Sequence, residues 1–323
     1  MRPGGKDEKM NCRPRCIPAV ILLVLLPVPL LWCLGVLHYL VFSENAVFTV
    51  SAGGLLFLLW FSGWFFRRAV PAAVIAVFGI AVFFFSVTPA QRFAATKWRT
   101  PWGRRPGAGF PGQGRILFRD VRDFRYRTED DYTVRYRDVT VDPARLRSVD
   151  LAVSYWDGLE AVAHTMLGFN FSDGQRLVLS METRIPEGKT QNALAGLFKQ
   201  YEIIPVLGTP EDVFDLRIKY RGEDFYLYRT NAGPEQARLL LMYVARKLNG
   251  RREFYNTLTR NCSTSLVPLV EAAGLAPDLD IRLLFNGYSD RMLFQLGYLK
   301  HREGESFASL RNRSYVPGLS RGR

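Results

Sequence analysis

The residues best able to do chemistry in this 323-residue sequence stand in one short run, Tyr255-Asn256-Thr257-Leu258-Thr259-Arg260-Asn261-Cys262-Ser263-Thr264. Asn is a good helix N-cap, so Asn261 predicts a helix from about Asn261 to Ala273, ended by Gly274, with Cys262 in its first turn. Backbone N–H groups are unpaired there and the helix dipole is positive, which favours a thiolate. A thiol so activated, with a histidine beside it, is a nucleophile. The same amides, with Asn261 and Ser263, are suited to hold an oxyanion. Tyr255 and Asn256 are placed to shape a substrate pocket. The competing readings are a buried, inert thiol and simple packing before a helix.

Of the three histidines, His38 falls in the first long uncharged run, so only His164 and His301 are left to pair with it. His164 falls in a run (162–171) that is followed by Ser172-Asp173-Gly174 and a second run (175–184), and Asp-Gly between two such runs predicts a β-hairpin. With Gly174 left-handed, Phe171 pairs with Gln175, Met166 with Ser180 and His164 with Glu182. With a two-residue loop the register slips by one, and Thr183 faces His164 instead. A carboxylate against the imidazole would fix its tautomer and support an imidazolium, which makes Glu182 the candidate third member. Its alternative is a salt bridge to Arg184 or another arginine.

The elements that carry these residues follow a strongly uneven charge pattern. The chain has a net charge of +13 and 48% hydrophobic residues, with a mean hydropathy of −0.02. Yet Ile17 to Ser43, Asn45 to Phe66 and Ala69 to Gln91 hold no charged residue. A bilayer core of about 30 Å takes about 20 apolar residues of helix, so the runs predict three membrane helices. The lysines and arginines before the first run, and Arg67-Arg68 after the second, put the N-terminus inside. Everything after the third span then lies outside, which in a Gram-negative cell is the periplasm. Nine of the thirteen net positive charges follow residue 87. An outward domain does not meet nucleic acid, so that charge points either to anionic lipid or to a solvated basic surface.

The expected organisation is a cytoplasmic N-terminus (1–16), a three-helix membrane anchor (17–87), a basic Gly/Pro/Trp linker (88–114) and a periplasmic domain (115–323). Of the four cysteines, Cys12 and Cys16 precede the spans and Cys33 lies in one. Cys262 is then the lone thiol outside, without a disulfide partner in its domain. Strands are expected over 115–127, 149–156, 162–171, 175–184, 202–207, 213–220 and 223–230. Helices are expected over 190–201, 235–249, 261–273 and within 281–300. This is an α+β domain with a mainly antiparallel sheet. One Cys and two His outside the membrane give no metal-ligand spacing, no Gly-rich phosphate loop is found, and no cofactor is expected.

Four segments carry a family resemblance: VRDFRYR (121–127), AHTMLGFNFSDGQRLVLSMETR (163–184), GLFKQYEIIPVLG (196–208) and FYNTLTRNCSTSL (254–266). In this order they resemble the Lnb N-terminal periplasmic domain family. The order of a strand His followed by an Asn-Cys pair also resembles permuted papain/NlpC-like thiol enzymes. The resemblance implies a permuted papain/NlpC-like fold with Cys262 as nucleophile and His164 as base. It also implies lipoprotein N-acyltransferase-like chemistry: an acyl chain passes from a phospholipid donor, through a thioester, to an amine such as a lipoprotein N-terminus, at the bacterial inner membrane. The family's namesake carries its membrane segments after this domain, whereas here they precede it. A cysteine peptidase or amidase acting on cell-wall peptides, and a non-catalytic lipid- or protein-binding module, are the alternatives.

Overall fold

The computed structural model describes residues 27–42, 44–62, 69–87, 93, 96–156, 158, 160–275, 282 and 286–318. Two units are separated at Pro89 and Ala90. The first contains α1 (Pro27–Val36), continued by a π turn at Leu37–Val41, then α2 (Ala46–Ser62) and α3 (Ala69–Val87). Among the described residues no helix is long and apolar enough to cross a membrane. The three spans expected from the uncharged runs are therefore not shown. The N-terminus expected to be cytoplasmic, Cys12, Cys16, Arg67-Arg68 and the start of the first run lie outside the described residues.

The second unit is an α+β domain. Its strands are β1 (Gly107–Gly112), β2 (Arg115–Arg122), β3 (Arg125–Tyr126), β4 (Tyr132–Thr133), β5 (Tyr136–Val141), β6 (Leu146–Tyr155), β7 (Ala163–Phe171), β8 (Arg176–Arg184) and β9 (Glu202–Gly208). After α4 (Pro210–Asp215) come β10 (Asp224–Arg229), α5 (Pro234–Leu248), β11 (Glu253–Phe254), α6 (Val267–Ala272), α7 (Ser289–Gln295), α8 (Phe307–Ser314) and β12 (Tyr315–Val316). The main sheet runs β1-β2-β9-β8-β7-β6-β10-β12, with β5 on β2 and β11 on β9. All of its pairings are antiparallel except a single parallel bridge, Arg122 to Gly208. A Cβ on Gly208 would stand 2.7 Å from Val213 and 3.1 Å from the Arg122 carbonyl, so only glycine permits that approach.

The hairpin register is the three-residue-loop alternative. Gly174 is left-handed (φ 85°), the Phe171 amide donates to Gln175 O, and Met166 stands opposite Ser180. One face of β6–β9 is almost wholly apolar (Leu151, Val153, Leu167, Phe169, Leu179, Met181) and packs on α5. That helix presents Ala237, Leu240, Leu241, Val244, Ala245 and Leu248 at helical spacing. Burying each leucine contributes about 1.5–3 kcal/mol. The other face alternates apolar residues (Ala152, Met166, Val178) with buried polar ones (Ser154, His164, Ser180, Glu182).

Three expectations are corrected. The run 213–220 is not a strand but the end of α4 and a π turn at Leu216–Arg221. Pro210 at the first turn with Glu211 and Asp212 starts a helix, and buried Asp212 accepts from Arg122 Nε at 3.0 Å. The helix expected over 190–201 is one 3-10 turn at Ala195–Phe198, closed by left-handed Lys199. Within the expected linker 88–114, the described residues 96–114 fold with the domain rather than link to it. β1 adds to the sheet through β2, Trp98 bridges Pro186, and the Pro101 carbonyl accepts from Arg122 Nη1 at 3.0 Å.

Candidate active site around Cys262

Residues β7 and β8 part after the Met166–Ser180 pair, and the sulfur of Cys262 occupies the seam. Phe171 directs its N–H and C=O toward β8, so by strand alternation Ala163 and Thr165 do the same. Cys262 Sγ accepts from the Thr165 amide and lies 3.9 Å from Ala163 O. The thiol is thus held by the backbone on either side of His164. The imidazole leaves on the polar face of the sheet. Its Nε2 is 2.7 Å from Ser180 Oγ, and Ser180 Oγ donates to Glu182 Oε1 at 2.9 Å. His164 and Glu182 share a face, as the register requires, and Ser180 joins them. No hydrogen bond joins the imidazole to the thiol. His301 is bonded to Leu299 O at 2.8 Å and packed on the Phe294 ring.

The electrostatics differ from those of an exposed helix-start thiolate. Cys262 sits in an irregular turn before α6, which begins only at Val267. Asn261 does cap that turn. Its Oδ1 accepts from the Ser263 and Thr264 amides at 3.0 Å each. Those two amides are therefore occupied and do not form the oxyanion site expected of them. Burial pushes the Cys262 thiol up, and N–H and O–H donors from Thr165 and Ser263 only partly oppose it. Burial, reinforced by Arg217, holds His164 down to about 3, against the pull of Glu182. Burial opposes the charge on Glu182, but Arg122 and Arg217 outweigh it and hold the carboxyl at about 2. Trp102 Nε1 also donates to Glu182.

Asn286 is the residue that the sequence did not reveal. Its Nδ2 stands 2.9 Å from Cys262 Sγ and 3.1 Å from Ala163 O, while its Oδ1 is buried without a partner. The adjoining backbone is pinned. A Cβ on Gly287 would come within 1.8 Å of Glu160 O, and the Gly287 carbonyl accepts from Tyr155 at 2.7 Å. An Asn amid the apolar run LLFNGYS carried no spacing signal.

Of the other expected residues, Tyr255 is half-buried beside the thiol. Burial, then Cys262, pushes its hydroxyl up, while bonds to Thr183, Thr257 and Gln191 oppose that. Asn256 is used by its own loop, its Oδ1 accepting from the Leu258 and Thr259 amides at 3.0 Å. Ser263 Oγ lies 2.8 Å from Thr165 Oγ1. These two hydroxyls line one side of an apolar cavity of about 100 Å³, whose other walls include Leu151, Leu167, Leu266, Val270, Leu293 and Leu299. Among the described residues no group of three His, Cys, Asp or Glu could hold a metal ion.

Fold and site together define an α+β domain with a buried thiol in the seam of an antiparallel sheet, a histidine on the same strand and an apolar cavity alongside. Residues 132–287, just under half of the chain, match the family model of the Lnb N-terminal periplasmic domain. This match supports the family that the sequence segments resemble, although the first of them, 121–127, lies outside it, and the family supports a periplasmic location for the domain. The match extends past Thr264 to take in Asn286. No curated protein and no solved structure matches the chain.

Proposed function

We propose that this domain is a periplasmic thiol acyltransferase that carries an acyl chain on Cys262. The observation that supports the reading most is the apolar cavity bounded by Thr165 and Ser263, the two residues that also contact the Cys262 sulfur. A polar, solvent-facing cleft would suit a cell-wall peptidase; a leucine- and valine-walled cavity suits a hydrocarbon chain. In the proposed reaction the Cys262 proton passes to His164. Nε2 is taken by Ser180, so Nδ1 is the nitrogen that receives it. Sulfur attacks an acyl ester of a phospholipid, a C–S bond forms, the ester C–O bond breaks, and the lysophospholipid alcohol leaves with that proton. Asn286 Nδ2 supports the thiolate. An amine, such as a lipoprotein N-terminus, then attacks the thioester, forms the amide and returns a proton to sulfur through His164. The uncharged runs within 17–91 would tether the domain to the inner membrane as a multi-pass anchor, which raises the effective concentration of lipid substrates.

A second reading has its own observation. The imidazole bonds Ser180 rather than the thiol, as it would in a module that binds lipid without catalysis. Intact-mass analysis of the full-length protein with phospholipid vesicles separates the two. A stable or trapped acyl adduct on wild type, absent from Cys262→Ala and strongly reduced in His164→Gln, supports the transferase. Lipid binding without adduct or lysophospholipid under any condition would leave the binding module.

A further inference from the structure

Glu202 is fully buried at the start of β9, and three guanidiniums surround it. Arg184 Nη1 is 3.3 Å from its carboxylate, and Arg105 Nη1 and Arg252 Nη1 are each 3.9 Å away. One negative charge therefore faces three positive ones. Glu253, the other acid nearby, is already shared by Lys247 at 2.8 Å and Arg260 at 3.3 Å. Arg184 is satisfied, with Nε and Nη2 on the Trp102 and Gly103 carbonyls and its plane over the Trp98 ring. Arg105 is not. Its Nη2 reaches the Gly250 and Arg251 carbonyls, but its Nε is buried without an acceptor. Buried donors are normally paired, so an orphan donor in a positive cluster points to an anion. The side chain of Arg105 is 19% exposed and that of Arg252 45%, so the cluster is open to solvent on their side. Burial already lowers the guanidinium pKa of Arg105 and of Arg184, and repulsion from Arg252 adds to it.

The cluster shares an end of the sheet with the thiol. Phe254 pairs with Glu202, and Tyr255, next in the chain, bonds Thr183 beside Arg184 and reaches Cys262. We propose that Arg105 and Arg252 form a phosphate-binding site, taking either the phosphodiester of a lipid headgroup or a free phosphate. As a donor-headgroup site it rests on the acyl-transfer reading; phosphate binding itself does not.

The test titrates the full-length protein in detergent with inorganic phosphate and, separately, with glycerophosphoethanolamine, against chloride at matched ionic strength. Thermal unfolding is the readout. A saturable rise in Tm with a phosphate compound, not given by chloride, is expected, and Arg252→Gln should weaken it about tenfold. A preference for the phosphodiester assigns a lipid headgroup; a preference for inorganic phosphate assigns a free phosphate. Equal responses to chloride and phosphate, or an unchanged affinity in Arg252→Gln, overturn the site. Arg252 is half-exposed, so its variant keeps the test valid if Arg105→Gln does not fold. Cys262→Ala should retain the phosphate response, so the site and the thioester can fail independently.

Discussion

His164 Nε2 lies 2.7 Å from Ser180 Oγ, and that hydroxyl is the link between the imidazole and Glu182. Ser180→Ala removes it. The change leaves Nε2 without its partner and deprives Glu182 of a donor on a fully buried face. Leaving buried polar groups unpaired costs about 1–3 kcal/mol, so chemical denaturation should show a loss of that size. Ser180→Thr, which keeps the hydroxyl, should recover part of it. If Ser180 also positions the imidazole for proton transfer, Ser180→Ala should lower the rate of adduct formation and change its pH profile, with lipid affinity unchanged.

Stability should fall steeply in acid. His164 is held down to about 3 by burial and Arg217, below its ordinary value near 6.5. A depressed folded pKa contributes stability above the unfolded value and loses it as pH falls toward the folded one. The loss attributable to His164 therefore begins below about pH 6.5 and runs toward 3, at roughly 1.4 kcal/mol per pH unit. Glu182, held at about 2 by Arg122 and Arg217 against burial, adds its own loss below about pH 4.5. His164→Gln should flatten the upper part of the profile, between about pH 6 and 4.5. A variant whose unfolding free energy tracks wild type across that window would contradict a buried neutral histidine.

The Cys262 thiol, raised by burial, should alkylate slowly at neutral pH, and its rate should keep rising beyond the ordinary thiol range. Peptide-level mass spectrometry reads this at Cys262 alone, whatever the other cysteines do. Asn286→Leu removes the Nδ2 donor that stands 2.9 Å from the sulfur, so the midpoint of the rate profile should move further up. A downward shift would mean that Asn286 does not support the thiolate.

The parts of this site that were legible in the sequence are those fixed locally. Asp173-Gly174 set the turn, the turn set the register, and the register put His164 and Glu182 on one face. Asn261 declared itself as a cap, although the turn it closes is not yet helix and takes up the amides expected to be free. What was hidden depends on long-range pairing. The alternation in VFDLRIKY fits a strand, but burial of Asp212 against Arg122, 90 residues away, selects the helix. Trp102, 80 residues from Glu182, looked like part of a linker because its partner is remote. Asn286 joins Cys262 only through the packing of Gly287 on the backbone before β7.

The cavity permits the sharpest separation of chain binding from thiol chemistry. Leu266 lines it and is nearly buried. Leu266→Phe pushes a ring toward open space, so the usual overpacking cost of about 1–3 kcal/mol should be reduced. Leu266→Ala enlarges a cavity that already exists and should cost about 2–5 kcal/mol. If the cavity takes the acyl chain, Leu266→Phe should lose long-chain adducts on Cys262 while keeping short ones from an activated short-chain ester. Leu266→Ala should shift the profile toward longer or bulkier chains despite its lower Tm. An adduct profile unchanged in both variants would place the chain elsewhere on the domain, whether or not Cys262 carries it.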